Sequence, residues 1–303
     1  MSPASSSPAA PATPPVAVSA RALVGLVGAG IHRSLTPAMH EAEATAHGIR
    51  LHYQLIDLDR AGVGPEALPT LIAAAKWMGF AGLNVTYPCK QAVIAQLDEL
   101  SDEARAMGAV NTVVFRDGRA IGHNTDGSGW RWGFERTLPG ADLARVVLLG
   151  AGGAGSAIAH VLLRMNTASL CIVDVDPARA RTLAAALNLV YPGARAAAET
   201  DVARALQGAS GLVHATPTGM SKLPGLPLSE GLLHPGLWVA EIVYFPFETA
   251  LLQAARARGC RTVDGGAMAV GQAIGAFRLF FTGLEADAAR VAAHFRRLIG
   301  ATT

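Results

Sequence analysis

The stretch Arg145–His160, RVVLLGAGGAGSAIAH, decides the fold. An apolar run with strand character ends on Gly150, and Gly152 and Gly155 complete a G-x-G-x-x-G spacing that opens a helix of small residues. Each glycine has a mechanical task. The first allows the tight turn, the second lets the backbone approach a pyrophosphate, and the third lets helix and strand pack closely. The helix N-terminus then faces the phosphate charge. Gly150, Ala151, Gly152, Gly153, Ala154 and Gly155 are thus expected to cradle a dinucleotide. The next strand, SLCIVDVD, ends at Asp174, roughly 20 residues beyond the turn, where a ribose-binding acid belongs. A carboxylate there binds ribose hydroxyls and repels a 2′-phosphate, which favours NAD over NADP. Arg179 and Arg181 stand nearby and keep NADP as the alternative, and Asp174 as a solvated strand end is the other reading of that residue.

Outward from this unit, short apolar strands alternate with helix-length segments. Strands are expected at Leu23–Gly28, Leu51–Leu58, Gly79–Val85, Val146–Leu149, Leu170–Val175, Gly211–Ala215 and Trp238–Tyr244. Helical patterns cover Pro37–His47, Pro65–Trp77, Lys90–Met107, Gly153–Met165, Pro177–Leu187 and Phe247–Arg258. The chain is therefore α/β, with mostly parallel sheets flanked by helices. One alternating run, TVVFRDGRAIGHNTDG, has Asp117-Gly118 at its centre and predicts a hairpin. It separates two β-α series and marks the domain boundary. Gly265–Ala301 holds two more helical patterns with no strand between them.

A second glycine stretch, VGLVGAGIHRSLTPAMHEAE at Val24–Glu43, has only the outline of a nucleotide turn. Arg33 stands where a third glycine belongs. Thr36 suits an N-cap and Pro37 a first helical position, so the helix starts late, well after the glycines. Asp57 and Asp59 end the next strand, too far beyond Gly28 for a ribose acid, which belongs about 20 residues on. Two readings of the loop stand at this point. Thr36 caps the helix, or Ser34 and Thr36 hold an anion such as a carboxylate at a helix N-terminus.

Two polar residues need a role. In GLNVTYPCKQAV, Lys90 opens a helix, where a cation opposes the macrodipole unless an acid or a substrate compensates. An amine so placed can transfer protons near neutrality; a solvated surface lysine is the alternative. Asp126, in GHNTDGSGW at the domain boundary, can pair with Lys90 across the cleft or cap the next helix. Asn111 starts a strand, and His123 is the one histidine near Asp126.

Composition narrows the partners. The net charge is +2 and no basic run exceeds a pair, which argues against nucleic acid and an anionic membrane surface. Cys89, Cys171 and Cys260 form no CxxC, and the nine histidines show no metal spacing, so no metal is expected. No apolar run reaches the length of about 18 residues that marks a candidate membrane helix. The segment Met1–Ala20 holds five prolines and no charged side chain, reading as a disordered tail rather than a signal peptide. A cytoplasmic protein is expected.

These residues together resemble the shikimate/quinate dehydrogenase family. SLTPAMHEAE is similar to its S-x-[ST]-P-x-x-H loop. NVTYPCK, GAVNTV and GHNTDG resemble N-V-T-x-P-x-K, G-A-x-N-T and G-x-N-T-D. HATPTGM, EIVYFPFET and DGGAMAVGQA resemble three further segments, in order, and together the matches span nearly all of the chain beyond the tail. The resemblance implies a reversible NAD-dependent oxidation of quinate or shikimate by a monomer or homodimer. It implies Lys90 and Asp126 as the catalytic pair and Ser34 and Thr36 as the carboxylate site. Thr86, Asn111, Tyr244 and Gln272 would bind ring hydroxyls or line the pocket, and Thr216, Ile242 and Gly265 would line the nicotinamide side. It also implies that the last helices return to the first domain. A substrate domain of 21–124 plus 267–303 would then face a Rossmann-type domain of 125–266 across a cleft. His214 and Glu241 depart from the usual asparagine and aspartate, which implies altered cofactor-side contacts. DVDPAR and Thr36 resemble the NAD-using, quinate-oxidising branch. The alternatives are the NADP-dependent biosynthetic enzyme and, in another class, a non-catalytic sensor of the same ligands.

Overall fold

The computed structural model describes residues 20–193 and 195–300, so the tail expected over Met1–Ala20 lies, but for Ala20, outside the described residues. Two six-stranded sheets carry the chain. The first contains β1 (Arg21–Gly28), β2 (Arg50–Asp57), β3 (Gly82–Val85), β4 (Glu99–Leu100), β5 (Thr112–Arg116) and β6 (Arg119–His123), in the order β2-β1-β3-β5-β6-β4. The second contains β7 (Arg145–Leu149), β8 (Ser169–Val173), β9 (Ala196–Glu199), β10 (Gly211–His214), β11 (Trp238–Glu241) and β12 (Arg261–Val263). Its order is β12-β11-β10-β7-β8-β9 and every pairing is parallel. That is the doubly wound order, with the switch point beside β7, where the Gly150 turn stands.

The helices are α1 (Thr36–Ala46), α2 (Leu58–Ala61), α3 (Leu68–Trp77), α4 (Cys89–Ala92), α5 (Asp102–Met107), α6 (Asp126–Thr137) and α7 (Gly153–Arg164). They continue with α8 (Pro177–Val190), α9 (Val202–Leu206), α10 (Ala250–Ala257), α11 (Gly265–Phe280) and α12 (Ala288–Leu298). The hairpin at Asp117-Gly118 forms as expected. Both residues have positive φ, 51° and 73°, the backbone a two-residue turn of this hand requires.

The expected helix over Lys90–Met107 does not form as one element. α4 passes into a 3-10 turn, and β4 and α5 follow. Asp98 is the physical reason. Its carboxylate accepts from Lys76 Nζ at 3.0 Å and from Ala120 N at 2.6 Å, which draws the chain to the sheet edge beside β6. Ser101 then starts α5 as a capping residue, its Oγ accepting from Ala104 N at 3.2 Å. Three strands, β4, β9 and β12, of two, four and three residues, are too short to register in the sequence. α6 contains Gly127, Gly129 and Gly133 and has poor intrinsic propensity; packing sustains it.

The C-terminal helices pack on the first sheet. Phe277 and Phe295 join Met39 and Ala44 of α1 in one buried cluster. Arg290 of α12 grips buried Glu43 of α1 with two bonds of 2.7 Å, and Asp287 N adds a third of 2.8 Å. Burial alone would raise the Glu43 carboxyl, but these donors hold it below its ordinary value.

The two sheets meet where α6 crosses α11. A Cβ on Gly129 would lie 2.3 Å from Gln272 N, and one on Gly271 would lie 2.3 Å from Gly129 O. Gly133 faces Ala267, and Gly275 faces Thr125, in the same antiparallel ladder. Hydrogen at these positions is what lets the two backbones approach.

Candidate active site

Lys90 is the second residue of α4 and Asp126 the first of α6. Lys90 Nζ donates to Asp126 Oδ2 at 2.5 Å. Asn111 Nδ2 donates to the other oxygen, Oδ1, at 2.9 Å, and Asp126 N is held by Asn124 Oδ1 at 3.0 Å. Asp126 is buried and Lys90 mostly so, their side chains 7% and 21% exposed. The geometry supplies the acid that a lysine at a helix start demands. Asp126 does not cap α6: Thr125 is the N-cap residue, and its side chain makes no capping bond.

The first glycine loop rests on the same strand ends. A Cβ on Gly28 would overlap Thr86 Cγ2 at 2.3 Å, and Ala29 N donates to Tyr87 O at 2.9 Å. Gly30 N donates to Asp57 Oδ1 at 2.9 Å. Asp57 is therefore an anchor for the loop; although desolvation pushes its carboxyl upward, bonds from Gly30 and Asp59 N–H hold it below the usual range. The capping expectation for Thr36 is corrected. Leu35 occupies the N-cap position and Thr36 is already helical, because Ser34 Oγ accepts from Thr36 N at 3.3 Å and turns the chain one residue earlier. The Thr36 hydroxyl makes no capping bond.

Other walls come from distant segments. Arg33 of the loop sits over the Phe245 ring at 5.9 Å, beside Tyr244. Burial raises the Tyr244 phenol, which stays protonated. Gln272 reaches this region on α11, and its carbonyl accepts from Thr125 Oγ1 at 3.2 Å. The structure thus joins Lys90, Asp126, Asn111 and, through Thr125, the Gln272 backbone in one hydrogen-bonded chain, with Ser34 and Thr86 on the adjoining loops and Thr36 at the start of α1.

The second glycine turn has a different shape. Gly150 has φ +102°, and a Cβ on it would meet Ala215 O at 2.5 Å. One on Gly155 would meet Gly150 O at 2.0 Å, whereas Gly152 and Gly153 face open space. α7 has no side-chain cap, so its first N–H groups point into that space unclaimed. These residues fit a pyrophosphate. Asp174 braces the turn, its Oδ2 accepting from Ala151 N at 2.7 Å, so it is more than a solvated strand end. Arg179 is exposed in the first turn of α8.

The nicotinamide-side candidates converge at the ends of β10 and β11. A Cβ on Gly265 would lie 2.5 Å from Ile242 O, so that contact admits only glycine. His214 and Glu241 are cross-strand partners with fully buried side chains. Glu241 Oε1 accepts from His214 Nδ1 at 2.8 Å and from the N–H groups of Ile242 and Val243 at 2.8 and 3.0 Å. Thr249 Oγ1 bonds its other oxygen, and His214 Nε2 meets Thr216 Oγ1 at 2.5 Å. The two departures form one unit that fixes Thr216 and the Ile242 backbone. Sequence reasoning does not single out Thr125, Thr249 or the anchoring role of Asp57; the hydroxyl inside GHNTDG is the only signal for the first. Among the described residues, no cluster of three or more His, Cys, Asp or Glu side chains could hold a metal ion, and no helix is long and apolar enough to cross a membrane.

Residues 26–113 match the shikimate dehydrogenase substrate-binding domain. The chain is 58% identical over 280 residues to a shikimate dehydrogenase (NADP(+)) of Streptomyces avermitilis, covering 92% of this chain and 96% of that one. It is 48% identical over 280 residues to a quinate/shikimate dehydrogenase (NAD(+)) of Corynebacterium efficiens, covering 91% and 98%. Among solved structures, quinate dehydrogenase from Corynebacterium glutamicum in complex with NAD superposes with a TM-score of 0.84 at 44% identity, covering 91% of this chain and 99% of that one. The chain belongs to the shikimate/quinate dehydrogenase family, NAD(P)-dependent oxidoreductases acting on a CH–OH group.

Proposed function

We propose that the protein is a quinate/shikimate dehydrogenase that reversibly oxidises one ring hydroxyl of a cyclic polyhydroxy carboxylate, with NAD as its preferred cofactor. The observation that carries the reading is the Lys90–Asp126 ion pair, buried where the two sheets meet. The units are taken as 21–124 plus 267–303 and 125–266. Ser34 and Thr36 hold the carboxylate, and Thr86, Asn111, Tyr244 and Gln272 bind or orient the ring hydroxyls.

A bound nicotinamide supplies the hydride acceptor. Gly150 to Gly155 would hold the pyrophosphate, Asp174 and Arg179 the adenosine end, and Thr216, Ile242 and Gly265 the nicotinamide end. In the reducing direction the Lys90 ammonium delivers a proton to the ketone oxygen; in the oxidising direction the pair receives it. Asp126 stays beside Nζ, as counter-charge while Lys90 is an ammonium and, still held by Asn111 Nδ2, as the acceptor that keeps the amine in place once its proton has gone.

NAD is preferred because the Asp174 carboxylate sits at the turn, where a 2′-phosphate would meet like charge. NADP is the second reading: the Streptomyces relative named for NADP is 58% identical and the Corynebacterium relative named for NAD 48%. Steady-state rates with quinate and shikimate, each against NAD and NADP, test both points. Turnover of neither substrate with either cofactor refutes the dehydrogenase reading, and a higher kcat/KM with NADP refutes the cofactor preference.

A further inference from the structure

Behind the catalytic pair lies a row of buried polar side chains in an otherwise apolar layer. Tyr53 on β2 reaches across β1, packed among Val24, Leu26 and Phe280. Its hydroxyl donates to Asn84 Oδ1 on β3 at 2.6 Å. Asn84 Nδ2 donates to Thr112 Oγ1 on β5 at 3.0 Å. Thr112 Oγ1 donates to Asn111 Oδ1 at 3.0 Å, and Asn111 Nδ2 donates to Asp126 Oδ1 at 2.9 Å. Each of the five residues is at most 5% exposed.

Backbone groups fix the direction of every bond. Thr125 N can only donate, and it lies 2.8 Å from the Asn111 oxygen; that atom is therefore Oδ1, and the amide nitrogen faces Asp126. The carbonyl of Asn111 can only accept, and it lies 3.3 Å from the Asn84 nitrogen; Asn84 Oδ1 therefore faces Tyr53, and the phenol must donate. Thr112 accepts from Asn84 and so has its proton free for Asn111. All donors run one way and end on the carboxylate. Bonds aligned head to tail polarise one another, by roughly 10–30% per bond.

We propose that Tyr53 is a remote positioning residue for the Lys90–Asp126 pair, acting through Asn84, Thr112 and Asn111. The inference rests on the catalytic reading of that pair. The chain orients the Asn111 amide, which in turn aims Asp126 and strengthens the bond that keeps its carboxylate in place. Tyr53 touches neither substrate nor cofactor in this role.

The test is Tyr53→Phe, which removes one oxygen and keeps the ring. The expected result is a kcat lower by about threefold to tenfold, with KM for substrate and cofactor within about twofold of wild type. Thr112→Val breaks the same chain in its middle and should lose a similar factor. The double variant should lose no more than either, because both cut one path. Phe280→Leu, in the same layer but outside the chain, should lower Tm without lowering kcat. In ligand-free protein, the Asp126 carboxyl carbon resonance, assigned by its loss in Asp126→Asn, should move in Tyr53→Phe. Unchanged turnover in Tyr53→Phe, additive losses in the double variant, an equal kcat loss in Phe280→Leu, or an unmoved Asp126 resonance would each overturn the proposal. If Tyr53→Phe fails to fold, Thr112→Val and its resonance decide alone. A wild-type protein without turnover refutes the dehydrogenase reading, and the resonance still decides the inference.

Discussion

The crossing of α6 and α11 should govern both stability and turnover, and Gly129→Ala tests it. In an exposed helix this substitution stabilises by about 1 kcal/mol. Here the added Cβ would lie 2.3 Å from Gln272 N and 2.8 Å from Gln272 Cα, inside any real contact. Ordinary contact begins near 3.4 Å, so the helices must separate by about 1 Å, and a backbone atom cannot rotate away as a side chain could. Overpacking of this kind costs about 1–3 kcal/mol, which outweighs the propensity gain. Asp126 lies on α6 one turn before the contact and Gln272 lies in it, so the shift also moves the site. A misplacement of about 1 Å can cost about 100-fold in rate. The expected result is a Tm lower by several degrees and a kcat lower by about tenfold to 100-fold. Thermal melting and steady-state kinetics beside Ser128→Ala, an exposed control on the same helix, measure both. A Gly129→Ala protein that melts at or above the wild-type temperature and turns over normally refutes the close crossing as the element that sets the site.

Other outcomes follow from the site and the core. Lys90→Ala should lower kcat by about 100-fold to 10,000-fold while the cofactor Kd, measured by calorimetry, stays within about twofold; near-normal turnover would remove Lys90 from the mechanism. Asp174→Ser should raise kcat/KM for NADP relative to NAD by at least about tenfold, since it removes the like charge, and an unchanged ratio would place discrimination elsewhere. Burial of the unpartnered His40 ring, opposed only by Glu43, lowers its pKa from 6.5 to about 3. The unfolded chain therefore takes this proton first, so the stability contribution is complete above pH 6.5 and lost progressively as pH falls toward 3. Denaturant melts at pH 7.5 and 5 should show His40→Phe losing about 2 kcal/mol less than wild type over that interval, and equal losses would contradict the buried neutral ring.

How much was legible differs between the two glycine turns. The Gly150 turn follows from sequence because its requirements are local. A strand, three glycines, a helix and an acid within a single β-α-β unit leave little for distant contacts to decide. The structure added that Asp174 braces the Ala151 amide, a contact the spacing allowed and could not specify. The loop at Gly28 is less local. Its late helix start was visible at Pro37, but the capping role passed to Leu35 through a bond from Thr36 N to Ser34, a choice of a single residue that propensity does not resolve.

The sequence by itself determined the α/β class, the glycine turn at Gly150, the Asp117-Gly118 hairpin and the residue types able to move a proton or hold an anion. Each rests on a pattern of period two or 3.6, or on a glycine whose backbone no other residue tolerates. Only tertiary structure decided which polar residues meet. Lys90 and Asp126 are 36 residues apart and Arg290 and Glu43 are 247 apart; the first pair meets because α4 and α6 start close together, the second because α12 folds back onto α1. It also decided that the expected Lys90–Met107 helix breaks, because Asp98 is held by Lys76 and the Ala120 amide, Glu99 and Leu100 pair with β6, and Ser101 starts a new helix. Buried polar groups must find partners wherever the fold supplies them; where Tyr53, His214 and Glu241 found theirs is a property of the packed chain, not of any segment of it.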